Sequence, residues 1–102
     1  MDQPKFIITL EGIFRLGMVH MHKDLLQPGD DCIGGGYYRF DYASNIIVLD
    51  GLSYDFGSPD WYVLETLKVP SAYRGWQIVY KYGDDFHEDY NVTEELRIEY
   101  YD

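Results

Sequence analysis

Apolar and polar residues alternate over the first twenty positions of the chain. The apolar residues of this stretch that occupy even positions are Phe6, Ile8, Leu10, Phe14, Leu16 and Met18. Such period-two alternation predicts β-strand. A two-residue hairpin loop at Glu11-Gly12 would bring Arg15 onto the apolar face. We therefore expect either a loop with an odd number of residues or one long strand bent at Gly12.

Similar alternation recurs later in the chain and predicts further strands. These strands are expected at 37–42, 46–49, 76–82 and 92–100, with a return strand over 52–55. Turn-forming residues such as Gly, Asn, Asp and Ser separate most of them. The alternation of apolar with charged positions is typical of antiparallel sheets that have one covered and one solvated face.

One segment carries the start and stop signals of a helix. Ser58 can cap a helix, and Pro59 suits the first helical position. Apolar residues then recur every three positions from Trp61, and Pro70 ends the run. This spacing predicts one short helix at about 59–68, although the Trp, Tyr, Val and Thr content of the segment is also typical of strands.

These elements predict an α+β fold that is mainly antiparallel β, with a single sheet or open barrel of five to six strands and one short helix. Neither a linker nor a repeat divides the chain, so we expect residues 1–102 to form a single small domain. Hydrophobic residues make up 46% of the chain and aromatic residues 18%. This composition is that of a globular protein rather than a disordered one.

Negative charge is concentrated at the carboxyl end of the chain. The formal net charge is −10, and the last nineteen residues, 84–102, hold eight acids and one base. Such a field repels phosphate backbones and attracts basic surfaces. The eight bases of the chain are scattered singly, which argues against binding of nucleic acid.

The sequence therefore predicts a non-catalytic acidic interaction protein that binds a basic protein partner, in the manner of a small inhibitor or immunity protein. The binding surface would be an acidic, Tyr-bearing sheet face together with the C-terminal strand. The expected partner-binding residues are Asp84, Asp85, Glu88, Asp89, Glu95, Glu99 and Tyr101.

Several other classes of function receive less support. No serine or threonine lies in a nucleophile motif, so catalysis is not the favoured expectation, and we expect no cofactor. No apolar run approaches the ~20 residues of a membrane span, and the amino terminus has no signal-peptide pattern. These features favour a soluble, cytoplasmic protein that does not engage a membrane.

The most metal-like feature is His20-Met21-His22. On a strand, two histidines two positions apart point the same way and can share a metal ion. This motif and the turn at 26–30 resemble features of metal-binding double-stranded barrels of the cupin type. However, the Glu that the cupin pattern places after the second histidine is missing here. A small metal-dependent or ligand-binding barrel that uses His20 and His22, with distant His87 as a further ligand, is the alternative hypothesis.

Two other local features have structural interpretations. The run Gly34-Gly35-Gly36 leads into a strand behind two aspartates, which favours a bulge or a close approach of another backbone or ring over a phosphate cradle. Cys32 is the single cysteine and is expected to be a small buried side chain. A second alternative for the whole chain is a self-associating structural module whose aromatic face packs against a copy of itself.

Overall fold

The computed structural model describes residues 1–51, 59–81 and 89–102, and β-strands account for much of that part of the chain. The regular elements are β1 (Gln3–Thr9), β2 (Phe14–Val19), β3 (Cys32–Asp41), β4 (Ile46–Asp50), β5 (Thr66–Pro70), β6 (Gln77–Lys81), β7 (Tyr90–Asn91), α1 (Val92–Glu95) and β8 (Arg97–Tyr101). Single 3-10 turns occur at His22–Leu25, Trp61–Val63 and Ser71–Tyr73. The return strand predicted over 52–55 lies outside the described residues.

The strands form two sheets. The larger sheet has the order β2-β1-β3-β4-β6-β7, and β5 pairs with β8 in a second, two-stranded sheet. Pairing in the larger sheet is antiparallel except between β4 and β6, and β5 and β8 are parallel. The expected fold class, mainly antiparallel β with one short helix, is confirmed.

The first hairpin has the odd-numbered connection that the alternation demands. Ile8 pairs with Phe14, and Gly12 in the connection takes a φ of 83°, which glycine adopts without steric cost. The even positions of β1 and β2 consequently share one face, where Phe6, Ile8 and Phe14 are completely buried. Leu10 departs from the pattern because it lies in the turn, where it is exposed.

The helix predicted at about 59–68 is wrong in position. The chain makes only one 3-10 turn, Trp61–Val63, and then enters β5 at Thr66–Pro70. Leu67 and Val69 are buried on the core face of β5, and the other three residues of the strand are half-buried. The β-branched residues of β5 therefore follow their strand preference, and burial of alternate residues overrides the three-residue spacing.

The short α-helix is α1, which lies within the predicted strand 92–100. The Asn91 side chain caps it by accepting a hydrogen bond from the Glu94 N–H at 3.4 Å. Val92 and Leu96 are four residues apart and are both buried, so this single turn packs its apolar side on the core. Leu96 already has extended backbone angles, and β8 begins at Arg97.

The glycine run allows close contact between backbones, as the sequence predicts. A Cβ atom on Gly34 would lie 2.5 Å from the Cα atom of Pro59, and one on Gly36 would lie 2.0 Å from the Asp50 carbonyl oxygen. The pairing of β1 with β3 also shifts register between Ile8 and Thr9. Pro59 therefore packs on β3 directly before the turn that carries Trp61 into the core. The Trp61 side chain is 1% exposed there.

Candidate functional site

An open groove lies where the turn between β1 and β2 meets the two-stranded sheet. Its volume is about 500 Å³. The described residues that line it are Glu11, Val63, Leu64, Glu65, Thr66, Lys68 and Glu99. Three glutamates and one lysine from separate parts of the chain thus line one concave surface, which leaves an excess of negative charge. We refer to these lining residues as the acidic groove.

Backbone pairing holds the walls of the acidic groove together. The Lys68 N–H donates to the Gly12 carbonyl at 2.8 Å, which ties the turn carrying Glu11 to β5. The Arg97 N–H donates to the Glu65 carbonyl at 3.0 Å, which ties the segment before β5 to β8. These main-chain contacts fix the turn that carries Glu11 and the segment that carries Glu65 relative to the two-stranded sheet.

The alternation of β8 directs Glu99 into this groove. Lys68 of β5 and Glu99 of β8 are register partners. Arg97 and Glu99 are exposed, whereas Ile98 and Tyr100 are half-buried against the core. The solvent face of the C-terminal strand is therefore charged, and its opposite face is apolar.

Exposed apolar and aromatic surface borders the acids. Tyr62 is 82% exposed and Val63 is 58% exposed, and both belong to the 3-10 turn at one side of the groove. The ring of Tyr62 lies edge-on to that of Tyr90, with centroids 6.0 Å apart. Contact area of this kind beside charge is common in recognition surfaces.

The predicted partner-binding residues have diverse environments. Glu99 lines the groove, and Glu95 is exposed on α1 outside it. Asp89 forms an ion pair with Lys81 at 2.6 Å, so part of its charge is neutralised. The remaining predicted acids, Asp84, Asp85 and Glu88, lie outside the described residues.

Tyr101 has a role in holding the two sheets together. Its hydroxyl donates to the Phe14 carbonyl oxygen at 2.8 Å, and the side chain is half-buried. Burial raises the pKa of this phenol. Because the hydroxyl is used within the fold, the contribution of Tyr101 to a surface would come from its ring.

Glu11 and Glu65 are groove residues that the sequence analysis does not single out. Each is an isolated acid far in sequence from the acidic carboxyl end. Their proximity to Glu99 depends on the pairing of β5 with β8 and on the contact of Gly12 with Lys68. The prediction of a helix at about 59–68 hid both relations.

The two histidines do not form a shared metal site. β2 ends at Val19, so His20 and His22 are not on one strand. His22 is buried, with its Nε2 atom 2.8 Å from the Gly36 carbonyl oxygen. His20 is exposed, with its Nδ1 atom 3.1 Å from the terminal amine of Met1. Across residues 1–51, 59–81 and 89–102, no group of three or more His, Cys, Asp or Glu could hold a metal ion, and His87 falls outside these ranges.

The side chains of Cys32 and Asp30 make contacts within the fold. The Cys32 thiol lies 3.0 Å from the Gly34 carbonyl oxygen, and partial burial raises its pKa. The Asp30 carboxylate accepts hydrogen bonds from the Gln27 N–H and from the Arg15 guanidinium, and these two donors lower its pKa.

No helix in the described part of the chain is long and apolar enough to cross a membrane. Comparison with protein-family models, with curated proteins and with solved structures finds no match. The acidic groove must therefore be interpreted from its own chemistry.

Proposed function

We propose that this protein is a non-catalytic interaction protein that binds a basic protein partner through the acidic groove and the adjoining C-terminal strand. The observation that carries this proposal is that Glu11, Glu65 and Glu99 line one groove with a single lysine, Lys68. Evenly scattered acids would keep the protein soluble, whereas acids held in one concave surface also raise the local concentration of a cationic partner.

The electrostatics of the whole chain favour the same class of partner. A formal net charge of −10 gives a long-range attraction toward basic proteins and repels nucleic acid. At low salt this attraction acts over about 30 Å, and at 0.1 M salt it acts over about 10 Å. Association with such a partner is consequently expected to be fast and to slow with added salt.

The rim of the groove can supply the contact area that charge alone does not. Tyr62 and Val63 are among the most exposed large apolar side chains of the described residues. Aromatic side chains with adjacent carboxylates are well suited to bind Lys and Arg, whose aliphatic stems pack on rings while their charged ends reach the acids. We expect the partner to present such residues on a convex surface.

The proposal is tested by capture from the source cell at low salt, with elution by a salt step and identification by mass spectrometry. The wild-type protein is compared with Glu11→Gln/Glu65→Gln, which removes two groove acids and leaves β8 intact. The matched control is Asp2→Asn/Asp31→Asn, which removes two exposed acids outside the groove and gives the same net charge.

We expect one basic protein to elute by salt from the wild type and from the control, and to be reduced roughly twofold to thirtyfold on the groove variant, given about 0.2–1 kcal/mol for each exposed charge interaction. Equal capture by both variants would show that only net charge matters, and the groove would then not be the binding site. Failure of the wild type to capture any basic protein would also contradict the proposal.

A further inference from the structure

The outer edge of β8 carries main-chain groups that no described residue pairs. Within a strand, successive residues point their N–H and C=O groups to opposite sides. The Arg97 N–H bonds to the carbonyl of Glu65, which directly precedes β5, so Ile98 and Tyr100 direct their main-chain groups away from β5. β8 pairs with β5 alone among the described strands, and an open edge of this kind is a template for another strand.

The side chains of this edge are self-complementary. Arg97 and Glu99 are both exposed on the solvent face of β8, and neither has an ion-pair partner among the described residues. If two copies of β8 pair antiparallel about a two-fold axis at Ile98, Arg97 of each copy lies directly opposite Glu99 of the other. Directly opposite side chains in such pairs have Cβ atoms about 4.5–5.5 Å apart, which suits an ion pair.

The charges also discriminate between registers. A two-fold axis at Glu99 would set that carboxylate against its own copy, which is unfavourable. An axis at Ile98 instead gives two Arg-Glu pairs and brings the two Ile98 side chains together on the apolar face. The N–H groups of Ile98 and Tyr100 would then face the carbonyls of Ile98 and Leu96 of the second copy.

The start of β8 allows this overlap. Leu96 has extended backbone angles, φ −112° and ψ 151°, so the strand direction already holds at the residue that must face Tyr100. The Leu96 N–H remains bonded to the Val92 carbonyl, which leaves its own carbonyl for the second copy. Toward the amino terminus, the pairing between the two copies would stop at Glu95, the last residue of α1.

We propose that the protein forms a symmetric homodimer by antiparallel pairing of β8 with β8 of a second copy, with Arg97 and Glu99 as reciprocal ion pairs. The two small sheets then become one continuous sheet in the order β5-β8-β8-β5. This arrangement places the two acidic grooves on the same surface, where Glu11 and Glu65 of each copy remain available to a partner with two basic sites while Glu99 pairs with Arg97. The net charge of each copy opposes association, and screening within about 8 Å at 0.15 M salt reduces that opposition while the contact pairs persist.

The test is a charge exchange across the two-fold axis, measured by sedimentation equilibrium at 0.15 M salt. Arg97→Glu places two pairs of carboxylates opposite one another, and Glu99→Arg places two pairs of guanidinium groups opposite one another. We expect each variant alone to dimerise at least about tenfold more weakly than the wild type. A mixture of the two variants restores the opposite charges and is expected to form a heterodimer, which also shows that both variants are folded.

The double variant Arg97→Glu/Glu99→Arg provides a second readout. It is expected to dimerise with itself and to be excluded from dimers with the wild type, which native mass spectrometry of a mixture with isotope-labelled wild type resolves. A wild-type protein that stays monomeric at millimolar concentration would overturn the proposal. Undiminished dimers of the single variants, or a mixture that gains nothing over its components, would overturn it as well, since the contact would then lie elsewhere, for example at the open edge of β2.

Discussion

Substitution of Gly34 by alanine tests how the fold brings Pro59 onto the sheet. A Cβ atom at this position would lie 2.5 Å from both the nitrogen and the Cα atom of Pro59, whereas ordinary contact begins near 3.4 Å. The neighbour is main chain, so relief requires a movement of close to an ångström in the segment that leads to Trp61. Overpacking of this kind typically costs about 1–3 kcal/mol.

The expected net loss follows from two opposing effects. Because the contact is with backbone, we take the upper end of the overpacking cost, about 3 kcal/mol. Alanine offsets about 0.4–1 kcal/mol of this cost, because it lowers the conformational entropy of the unfolded chain. Gly34→Ala is therefore expected to lower the free energy of unfolding by about 2 kcal/mol. For a chain of this size that loss lowers Tm by roughly 8–16 °C. Urea unfolding followed by circular dichroism and a thermal scan measure both quantities.

Gly29→Ala is the control that separates crowding from backbone conformation. Gly29 has a φ of 85°, and a Cβ atom there would meet nothing within 4 Å. Its substitution should lower the free energy of unfolding only because alanine must adopt the left-handed conformation, a penalty of about 1–2 kcal/mol before the same entropic offset. If the free energy of unfolding of Gly34→Ala lies within ~0.5 kcal/mol of the wild-type value, or above that of Gly29→Ala, the inferred packing of Pro59 on β3 is wrong.

Three further outcomes are expected. Tyr101→Phe removes the donor to the Phe14 carbonyl and should lower the free energy of unfolding by about 0.5–1.5 kcal/mol; an unchanged urea midpoint would contradict this contact. The lowered pKa of Asp30 stabilises the folded state above the unfolded pKa of about 3.9, and that contribution is lost as the pH falls through the lower folded pKa. The stability advantage of the wild type over Asp30→Asn should therefore shrink below about pH 4 in urea titrations at several pH values, and a constant difference would refute it. Because partial burial raises the pKa of Cys32, its reaction with an aromatic disulfide reagent at pH 8 should be slower in the folded than in the unfolded protein, and equal rates would contradict the burial.

The first hairpin could be predicted from the sequence because its constraints are local. Six apolar residues on even positions fix both the strand period and the parity of the turn, and Gly12 is the residue able to adopt the required φ. The close approach at the glycine run was predictable for the same reason, since absent side chains leave space that something fills. The identity of the neighbours, Pro59 and Asp50, was not predictable because they come from distant parts of the chain.

The candidate site was only partly predictable because strand pairing assembles it. Glu99 could be predicted from the sequence because it belongs to the acidic segment at the carboxyl end. Glu11 and Glu65 carry no local signal, and they become relevant only when β5 is recognised as a strand beside β8. The helix expected at about 59–68 concealed that pairing. Helix-start residues and three-residue spacing favour a helix only weakly, and the burial of Leu67 and Val69 on one face of a strand decides the local structure.

The chain geometry separates the two histidines on which the metal hypothesis rests. Two histidines two positions apart share a metal only if both stay on one strand. Here β2 ends at Val19, and the following 3-10 turn carries His22 into the interior, where it bonds to the Gly36 carbonyl. The neighbouring Gly35 leaves room for the imidazole, because a Cβ atom there would lie 3.3 Å from the His22 Cδ2 atom, a relation that spacing along the chain does not reveal.

The most direct test of the central claim is the association rate of the captured basic partner as a function of ionic strength. The account predicts that the wild type and Asp2→Asn/Asp31→Asn associate rapidly at low salt and slow steeply as salt is added. Glu11→Gln/Glu65→Gln should associate more slowly at low salt and depend less on salt, with dissociation rates changed less than association rates. If the groove variant and its control give the same association rates and the same salt dependence, the acidic groove does not guide a basic partner.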